Sequence, residues 1–122
     1  MGRQKFMDEV AALGHAPENL GDGRICFGFH VSVGPRAGRD VRLGFVIGED
    51  YPLNPPGGPH FSPLLMPMNP TGGAHPHAGI HPSPFGDGWQ YWSRPMHHWA
   101  RTGRRASDVL AHVHQLLATL PE

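Results

Sequence analysis

The 122-residue sequence has almost no cysteine, no excess of charge of either sign and no long apolar run. Cys26 is the only thiol, which rules out an intrachain disulfide framework and fits a reducing compartment such as the cytoplasm. Ten basic and ten acidic side chains cancel, so no charge field points to nucleic acid or to an anionic membrane surface. No run reaches the ~18 apolar residues that a membrane-spanning helix needs, and the amino terminus lacks the apolar segment of a secretory signal. We therefore expect a cytoplasmic protein that binds neither nucleic acid nor membrane.

Glycine and proline are abundant but unevenly distributed. Of the 17 glycines and 14 prolines, eighteen residues fall between Pro52 and Pro95, while the flanking segments carry periodic patterns. The length allows one domain with one modest core, and we expect residues 1–122 to form it. The sequence predicts a folded frame that holds one long irregular loop over about residues 52–100. Loops of this length inside compact domains are usually functional or disordered.

Two helices are predicted by apolar residues at helical spacing. Near the amino terminus, Phe6, Val10 and Leu13 recur at i, i+4 and i+7 and predict a helix over residues 4–13. Near the carboxyl terminus Ser107 is the expected N-cap, and His112 and His114 are expected to be solvated. The apolar stripe of this second helix consists of Val109, Leu110, Val113, Leu116, Leu117 and Leu120.

The segment between the helices predicts an antiparallel sheet. Apolar and polar residues alternate strictly over residues 24–33 and again over residues 41–47, as they do in strands with one buried face. Glycine, proline and arginine between the two runs supply a turn, so a hairpin is the natural connection. Shorter strands are expected at residues 18–20 and 60–62. The expected fold is therefore α+β, with a helix, a four-strand antiparallel meander, the long loop and a second helix.

Three motifs, taken in chain order, resemble those of the ubiquitin-conjugating enzymes. The second alternating run ends in Tyr51-Pro52-Leu53-Asn54-Pro55-Pro56, which is similar to the family's Tyr-Pro-x-x-Pro-Pro turn. His81-Pro82-Ser83, followed by Asp87-Gly88, is similar to the His-Pro-Asn motif and the Asp-Gly or Asn-Gly after it. Trp99 precedes the last helix, as a family tryptophan precedes the crossover helix. The resemblance covers roughly residues 1–120 and implies a ubiquitin-conjugating-enzyme-like fold.

The sequence departs from this family at the residue that carries its chemistry. The family's catalytic cysteine follows the Asn of His-Pro-Asn by eight residues, and the same count from Ser83 ends at Tyr91. If His75-Pro76-His77 is taken as the motif, the same count ends at Phe85 instead. A phenol, with a pKa near 10, cannot replace a thiol, with a pKa of about 8.5, as a nucleophile that forms thioesters. Cys26 lies in the middle of a predicted strand, where a thiol usually behaves as a small apolar side chain.

The resemblance therefore implies a conjugating-enzyme-like protein of a bacterial ubiquitin-like modification pathway that acts as a binding or scaffold subunit without a thioester. The implied partners are an activating-enzyme-like adenylating protein and a ubiquitin-like modifier, and no cofactor is implied. The residues equivalent to the family's active site are His81, Pro82, Ser83, Asp87, Tyr91 and Trp99.

Clustered histidines give an alternative interpretation, a small metal-dependent or histidine-based enzyme. Six of the ten histidines lie in or beside the loop, and His75, His77 and His81 are spaced closely enough to converge on one metal ion. No carboxylate or thiol completes a familiar ligand spacing, so we favour histidines that populate a rigid loop. A histidine acid or base stays open, because imidazole titrates near neutral pH.

Basic residues indicate where a partner protein would bind. The first helix offers Arg3 and Lys5 beside an apolar stripe, and the resemblance implies that this helix meets the activating enzyme. A second surface is predicted where the aromatic residues of the loop meet arginines, a mixture that is frequent at interface hot spots. The arginines of this second surface are Arg94, Arg104 and Arg105.

Overall fold

A computed structural model describes residues 2–66 and 79–120 of the chain. Its helices and strands are, in chain order, α1 (Gly2–Ala12), β1 (Glu18–Gly21), β2 (Arg24–His30), β3 (Asp40–Val46), β4 (His60–Ser62), β5 (Ile80–Pro82), β6 (Gln90–Trp92) and α2 (Ala106–Ala118), with a 3-10 turn at Trp99–Arg101. The strands form one antiparallel sheet in the order β1-β2-β3-β4-β6-β5. The expected α+β class is confirmed.

The sheet is larger than the sequence predicts. Each of the four expected strands is present, but β5 and β6 extend the sheet to six strands, so the predicted four-strand count is wrong. The segment 52–100 is correspondingly not one irregular loop, because it contains β4, β5, β6 and the 3-10 turn. The two added strands are three residues long. β6 pairs with β4 and β5 pairs with β6, which places the His-Pro-Ser motif at the edge of the sheet.

One face of the sheet, which we call the inner face, packs against both helices. Ile25 and Phe27 of β2 and Leu43 of β3 are fully buried there, in one cluster with Val109, Val113 and Leu117 of α2. From α1, Phe6 packs edge to face against Phe45, with ring centroids 5.8 Å apart. The predicted strand faces and the apolar stripe of α2 are therefore confirmed, since the same residues form the core.

A carboxylate joins the two helices to the turn after β3. Glu9 Oε1 accepts a hydrogen bond of 2.6 Å from the Tyr51 hydroxyl and another of 2.9 Å from the backbone N–H of Ala106. The Tyr51 ring packs edge to face on Phe6 at 5.3 Å. The Glu9 side chain thus connects α1, the start of α2 and the turn after β3.

The turn between β2 and β3 approaches α2 so closely that only glycine fits. Gly34 has a φ of +77°, and a Cβ atom there would lie 1.9 Å from the carbonyl oxygen of Leu117. A side chain at this position would push the turn away from the carboxyl-terminal end of α2. Gly34 therefore fixes the spacing between hairpin and helix.

Three local predictions about the helices are wrong. Leu13 lies beyond the end of α1 and is 46% exposed, because its backbone has already left the helix. Ser107 is not the N-cap, because Arg105 occupies that position. The backbone N–H of Arg105 donates a hydrogen bond of 3.1 Å to the Asp108 carboxylate. His112 is half-buried rather than solvated and its Nε2 contacts the Arg94 carbonyl oxygen at 2.9 Å, while half-buried His114 packs on Phe29 at 5.5 Å.

We expect Val113→Asp to unfold the protein, because the substitution buries an unpaired carboxylate at a position with no solvent exposure. Such a burial costs several kcal/mol, on the order of the whole stability of a small domain. Thermal unfolding followed by circular dichroism measures the effect. Ala111→Asp on the exposed side of the same helix is the matched control and should melt close to the parent protein. A cooperative Val113→Asp transition near the parent temperature would contradict the packing described here.

Candidate functional site

Five residues form a continuous row across the outer face of the sheet, which lies opposite the helices. In the strand register Cys26 pairs with Gly44, Gly44 with His60, His60 with Tyr91, and Tyr91 with His81. Side chains of directly paired residues point to the same face, so these residues are neighbours there. The structure thus brings the predicted Tyr91 and His81 together and adds His60, which the sequence analysis did not identify as a site residue.

The segment 83–89, which we call the outer segment, folds back over this row. Ser83 Oγ lies 2.8 Å from His60 Nδ1 and accepts a hydrogen bond of 3.0 Å from the Phe85 N–H. The Phe85 ring fills the space above Gly44, where a Cβ atom would lie only 2.7 Å from the ring. Arg24 donates a hydrogen bond of 3.2 Å to the Pro84 carbonyl oxygen. The side chains of Ser83, Phe85 and Arg24 therefore fasten the outer segment to the sheet.

His60 is a neutral histidine held in an aromatic environment. It is 4% exposed, and burial lowers the pKa of its imidazole to about 4. The rings of Phe85 and Tyr91 flank it, with centroids 4.8 and 4.7 Å from its own. An efficient general base has a pKa near the working pH, and no described carboxylate contacts this ring. A pKa this low disfavours His60 as a general base, and its contact with Ser83 holds the outer segment to the sheet.

The outer segment separates two pockets that hold most of the predicted site residues. On one side a pocket of about 250 Å³ is lined by Val46, Gly57, His60, Pro84 and Tyr91. On the other side a pocket of about 310 Å³ is lined by Leu64, Pro82, Ser83, Gly86, Asp87, Gly88 and Trp89. Tyr91 therefore faces a different pocket from Pro82, Ser83 and Asp87.

Trp99 does not join this site. It is 4% exposed in the 3-10 turn, and its indole N–H donates a hydrogen bond of 2.9 Å to the Pro52 carbonyl oxygen. Its ring lies 6.0 Å from that of Tyr51. The interactions of Trp99 anchor the turn after β3, so its role in this structure is to support the fold.

The only thiol of the chain is buried at the other end of the row. Cys26 is 2% exposed, and a guanidinium nitrogen of Arg42 lies 3.3 Å from its sulfur. Arg42 in turn pairs with Glu18. Three strand spacings, about 14 Å in total, separate Cys26 from Tyr91. The prediction that Cys26 is a structural side chain agrees with its burial.

The basic residues predicted to bind a partner have different surroundings. Arg3 is half-buried, and its Nε donates a hydrogen bond of 2.8 Å to the Ile47 carbonyl oxygen, so it supports the fold. Lys5 pairs with Glu9 at 3.2 Å. Arg94 is half-buried beside α2, where its carbonyl oxygen accepts the hydrogen bond from His112.

Arg105 and the end of α1 lie on one surface. A shallow pocket of about 210 Å³ is lined by Glu9, Ala12, Leu13, Arg105, Ala106 and Ser107. Leu13 and Arg105 are both exposed there, whereas the neighbouring Arg104 is half-buried with a φ of +55°. The first helix and Arg105, predicted as parts of separate surfaces, thus meet in what we call the α1/α2 surface.

A metal site is not formed by the part of the chain that the structure describes. Among residues 2–66 and 79–120 no group of three histidine, cysteine or acidic side chains could hold a metal ion. His81 is exposed and stacks on Tyr91 at 6.2 Å, while His75 and His77 lie outside the described residues. The histidine-metal alternative therefore stays a prediction.

Comparison of the chain with protein-family models, curated proteins and solved structures finds no match. Within the described ranges, no helix is long and apolar enough to cross a membrane.

The lowered pKa of His60 predicts acid sensitivity. The unfolded chain protonates this imidazole near pH 6.5 and the folded protein only near pH 4, so the stabilising effect is complete above pH 6.5 and is lost as the pH falls through 4. Between pH 7 and 4 the loss from this residue is about 3 kcal/mol. Urea unfolding at several pH values should show this difference between the parent protein and His60→Gln. The exposed-histidine control His81→Gln should keep the parent's pH dependence, and a parallel decline in all three proteins would contradict the assignment.

Proposed function

We propose that this protein is a ubiquitin-conjugating-enzyme-like binding or scaffold subunit of a bacterial ubiquitin-like modification pathway. It acts without a thioester of its own. Its partners are an activating-enzyme-like adenylating protein and a ubiquitin-like modifier. The motif resemblance supports the family, and an order of helix, antiparallel meander and carboxyl-terminal helix agrees with it.

The burial of Cys26 is the main observation in support of a role without a thioester. A thioester forms by attack of an exposed thiolate, and the only sulfur of this type is 2% exposed beneath Arg42. Tyr91, at the position where the family has its cysteine, offers a phenol that would give an ester instead. A role in binding needs neither group to react.

The α1/α2 surface is the best candidate for partner binding. It combines an exposed leucine with an arginine beside a shallow pocket, and both types of side chain suit a protein interface. Leu13 makes this surface more apolar than the sequence alone predicts, since the residue was expected in the core. Arg3 is a weaker candidate than Arg105, because its Nε donates a hydrogen bond to the Ile47 carbonyl oxygen.

We expect no reductant-sensitive adduct when the protein is incubated with its cognate activating enzyme, the modifier and ATP. The reason is that the thiol is inaccessible, and non-reducing gels with and without dithiothreitol provide the measurement. The parent protein and Cys26→Ser should behave alike. A band that dithiothreitol removes and that Cys26→Ser lacks would make Cys26 a nucleophile and overturn the proposal.

We expect Leu13→Ser with Arg105→Glu to weaken binding of the adenylating protein or the modifier by ~1–3 kcal/mol without lowering the melting temperature. Both side chains are exposed, so their loss costs little folding energy. Isothermal titration calorimetry measures the affinity. The matched control is Leu53→Ser with Arg39→Glu, which changes an exposed leucine and an exposed arginine outside this surface. Equal affinities for the two double variants, or no binding of any pathway protein, would refute the scaffold role.

A further inference from the structure

The pocket between β3, β4 and β6 has an unusual polar group in an otherwise apolar lining. Val46, Pro84, the backbone of Gly57 and the ring of Tyr91 supply most of its wall, and none of the described residues that line it carries a charged side chain. His60 lines it as well, and this side chain is 96% removed from solvent, since its exposure is 4%. A buried polar group next to a cavity needs a partner.

The contacts of His60 leave one edge of its imidazole available. Aromatic rings flank the imidazole, namely Phe85 at 4.8 Å and Tyr91 at 4.7 Å. Its Nδ1 is in contact with Ser83 Oγ at 2.8 Å. Its Nε2 has no hydrogen-bond partner among residues 2–66 and 79–120. Of the two ring nitrogens, Nε2 is therefore the one left to hydrogen-bond a ligand in the pocket that His60 lines.

A hydroxyl group can form a hydrogen bond with Nε2 of His60 in either tautomer of the imidazole. If the Ser83 hydroxyl donates to Nδ1, then Nε2 carries the proton and is a donor; in the other tautomer Nε2 is an acceptor. A hydroxyl both donates and accepts, so it satisfies either form. A carboxylate or an ammonium group would enter an apolar pocket without a counter-charge, at a cost in desolvation.

Size and lining favour a single ring as the body of the ligand. The pocket of about 250 Å³ is below the usual size for drug-like ligands but sufficient for a fragment or one side chain. The Tyr91 hydroxyl lies at its wall, 3.9 Å from where a Cβ of Gly57 would be, and no residue of the described ranges hydrogen-bonds to it.

We propose that this pocket binds a phenol group, with its ring against Val46 and Pro84 and its hydroxyl at His60 Nε2. The ligand class is a neutral para-substituted phenol, either a free small molecule or the side chain of a tyrosine. The proposal stands independently of the modification pathway, because it depends only on the pocket and on a ring nitrogen without a partner among the described residues.

The test is a titration with p-cresol, which has the structure of the tyrosine side chain, followed by NMR of the Val46 methyl groups and the His60 ring. Toluene, which lacks the hydroxyl, is the matched ligand. We expect saturable shifts at both residues and at least a fivefold tighter Kd for p-cresol than for toluene. N-acetyltyrosinamide tests whether the phenol of a tyrosine side chain binds, and N-acetylphenylalaninamide is its control. Binding of N-acetyltyrosinamide shows that a phenol attached to a peptide chain fits the pocket. If only p-cresol binds, the ligand is a free phenol.

Two variants locate the site. His60→Phe removes the ring nitrogen and should reduce the affinity for p-cresol to that for toluene. Gly57→Leu should abolish binding of both ligands by filling the pocket. The backbone of Gly57 is not left-handed, and a Cβ there makes only an ordinary contact with Tyr91. We therefore expect Gly57→Leu to fold even if His60→Phe is unstable. Equal affinity for p-cresol and toluene, unsaturable shifts, or undiminished binding by Gly57→Leu would overturn the proposal.

Discussion

The carboxylate of Glu9 is the interaction on which the arrangement of helices and sheet depends. It accepts hydrogen bonds from the Tyr51 hydroxyl and from the first N–H of α2, and it pairs with Lys5 within α1. Burial, together with the neighbouring carboxylate, raises the pKa of Tyr51, so its hydroxyl stays protonated as a donor. Tyr51 lies in the turn after β3, so this one anion connects α1, α2 and that turn. The indole of Trp99 is in turn hydrogen-bonded to the next residue, Pro52.

A neutral side chain has a similar role deeper in the sheet. The amide of Gln90 is fully buried; its oxygen accepts hydrogen bonds from the backbone of Leu65 and Met66 and from the Trp92 indole, and its nitrogen donates to the Met66 carbonyl oxygen. These bonds attach the segment after β4 to β6. The glycine- and proline-rich part of the chain is thus held by side-chain hydrogen bonds where regular periodicity is absent.

The sequence predicts the parts of the fold that repeat. Alternation over β2 and β3 and the stripe of α2 identify the core, because each pattern extends over seven or more residues and has one solution. Strands of three residues, such as β5 and β6, contain too few positions for an alternation to be recognised, and the surrounding glycines and prolines favour a loop assignment. The pairing of β6 with β4 depends on contacts distant in sequence, which local patterns do not contain.

The candidate site was predictable only in part for the same reason. The motif positions indicated His81 and Tyr91, and the register of β5 and β6 makes them neighbours. His60 entered the site because its strand partners are Gly44 and Tyr91, and nothing in its own sequence surroundings marks it. Trp99 matches a motif equally well, yet its indole is bound to the Pro52 carbonyl oxygen. A motif match identifies a residue type, and the register decides which residues meet.

The contact of the Phe85 ring with Gly44 has a consequence for how this surface can change. The ring occupies the volume of a missing Cβ, and it belongs to the outer segment that separates the two pockets. A Cβ at Gly44 would lie 2.7 Å from this ring, so the ring of Phe85 would have to move away from the sheet to make room for a side chain there. The two cavities share residues of this segment in their walls, so a displacement of the segment would alter both. Variation in one during evolution would be constrained by the other, and a ligand that moves the wall from one side would be felt on the opposite side.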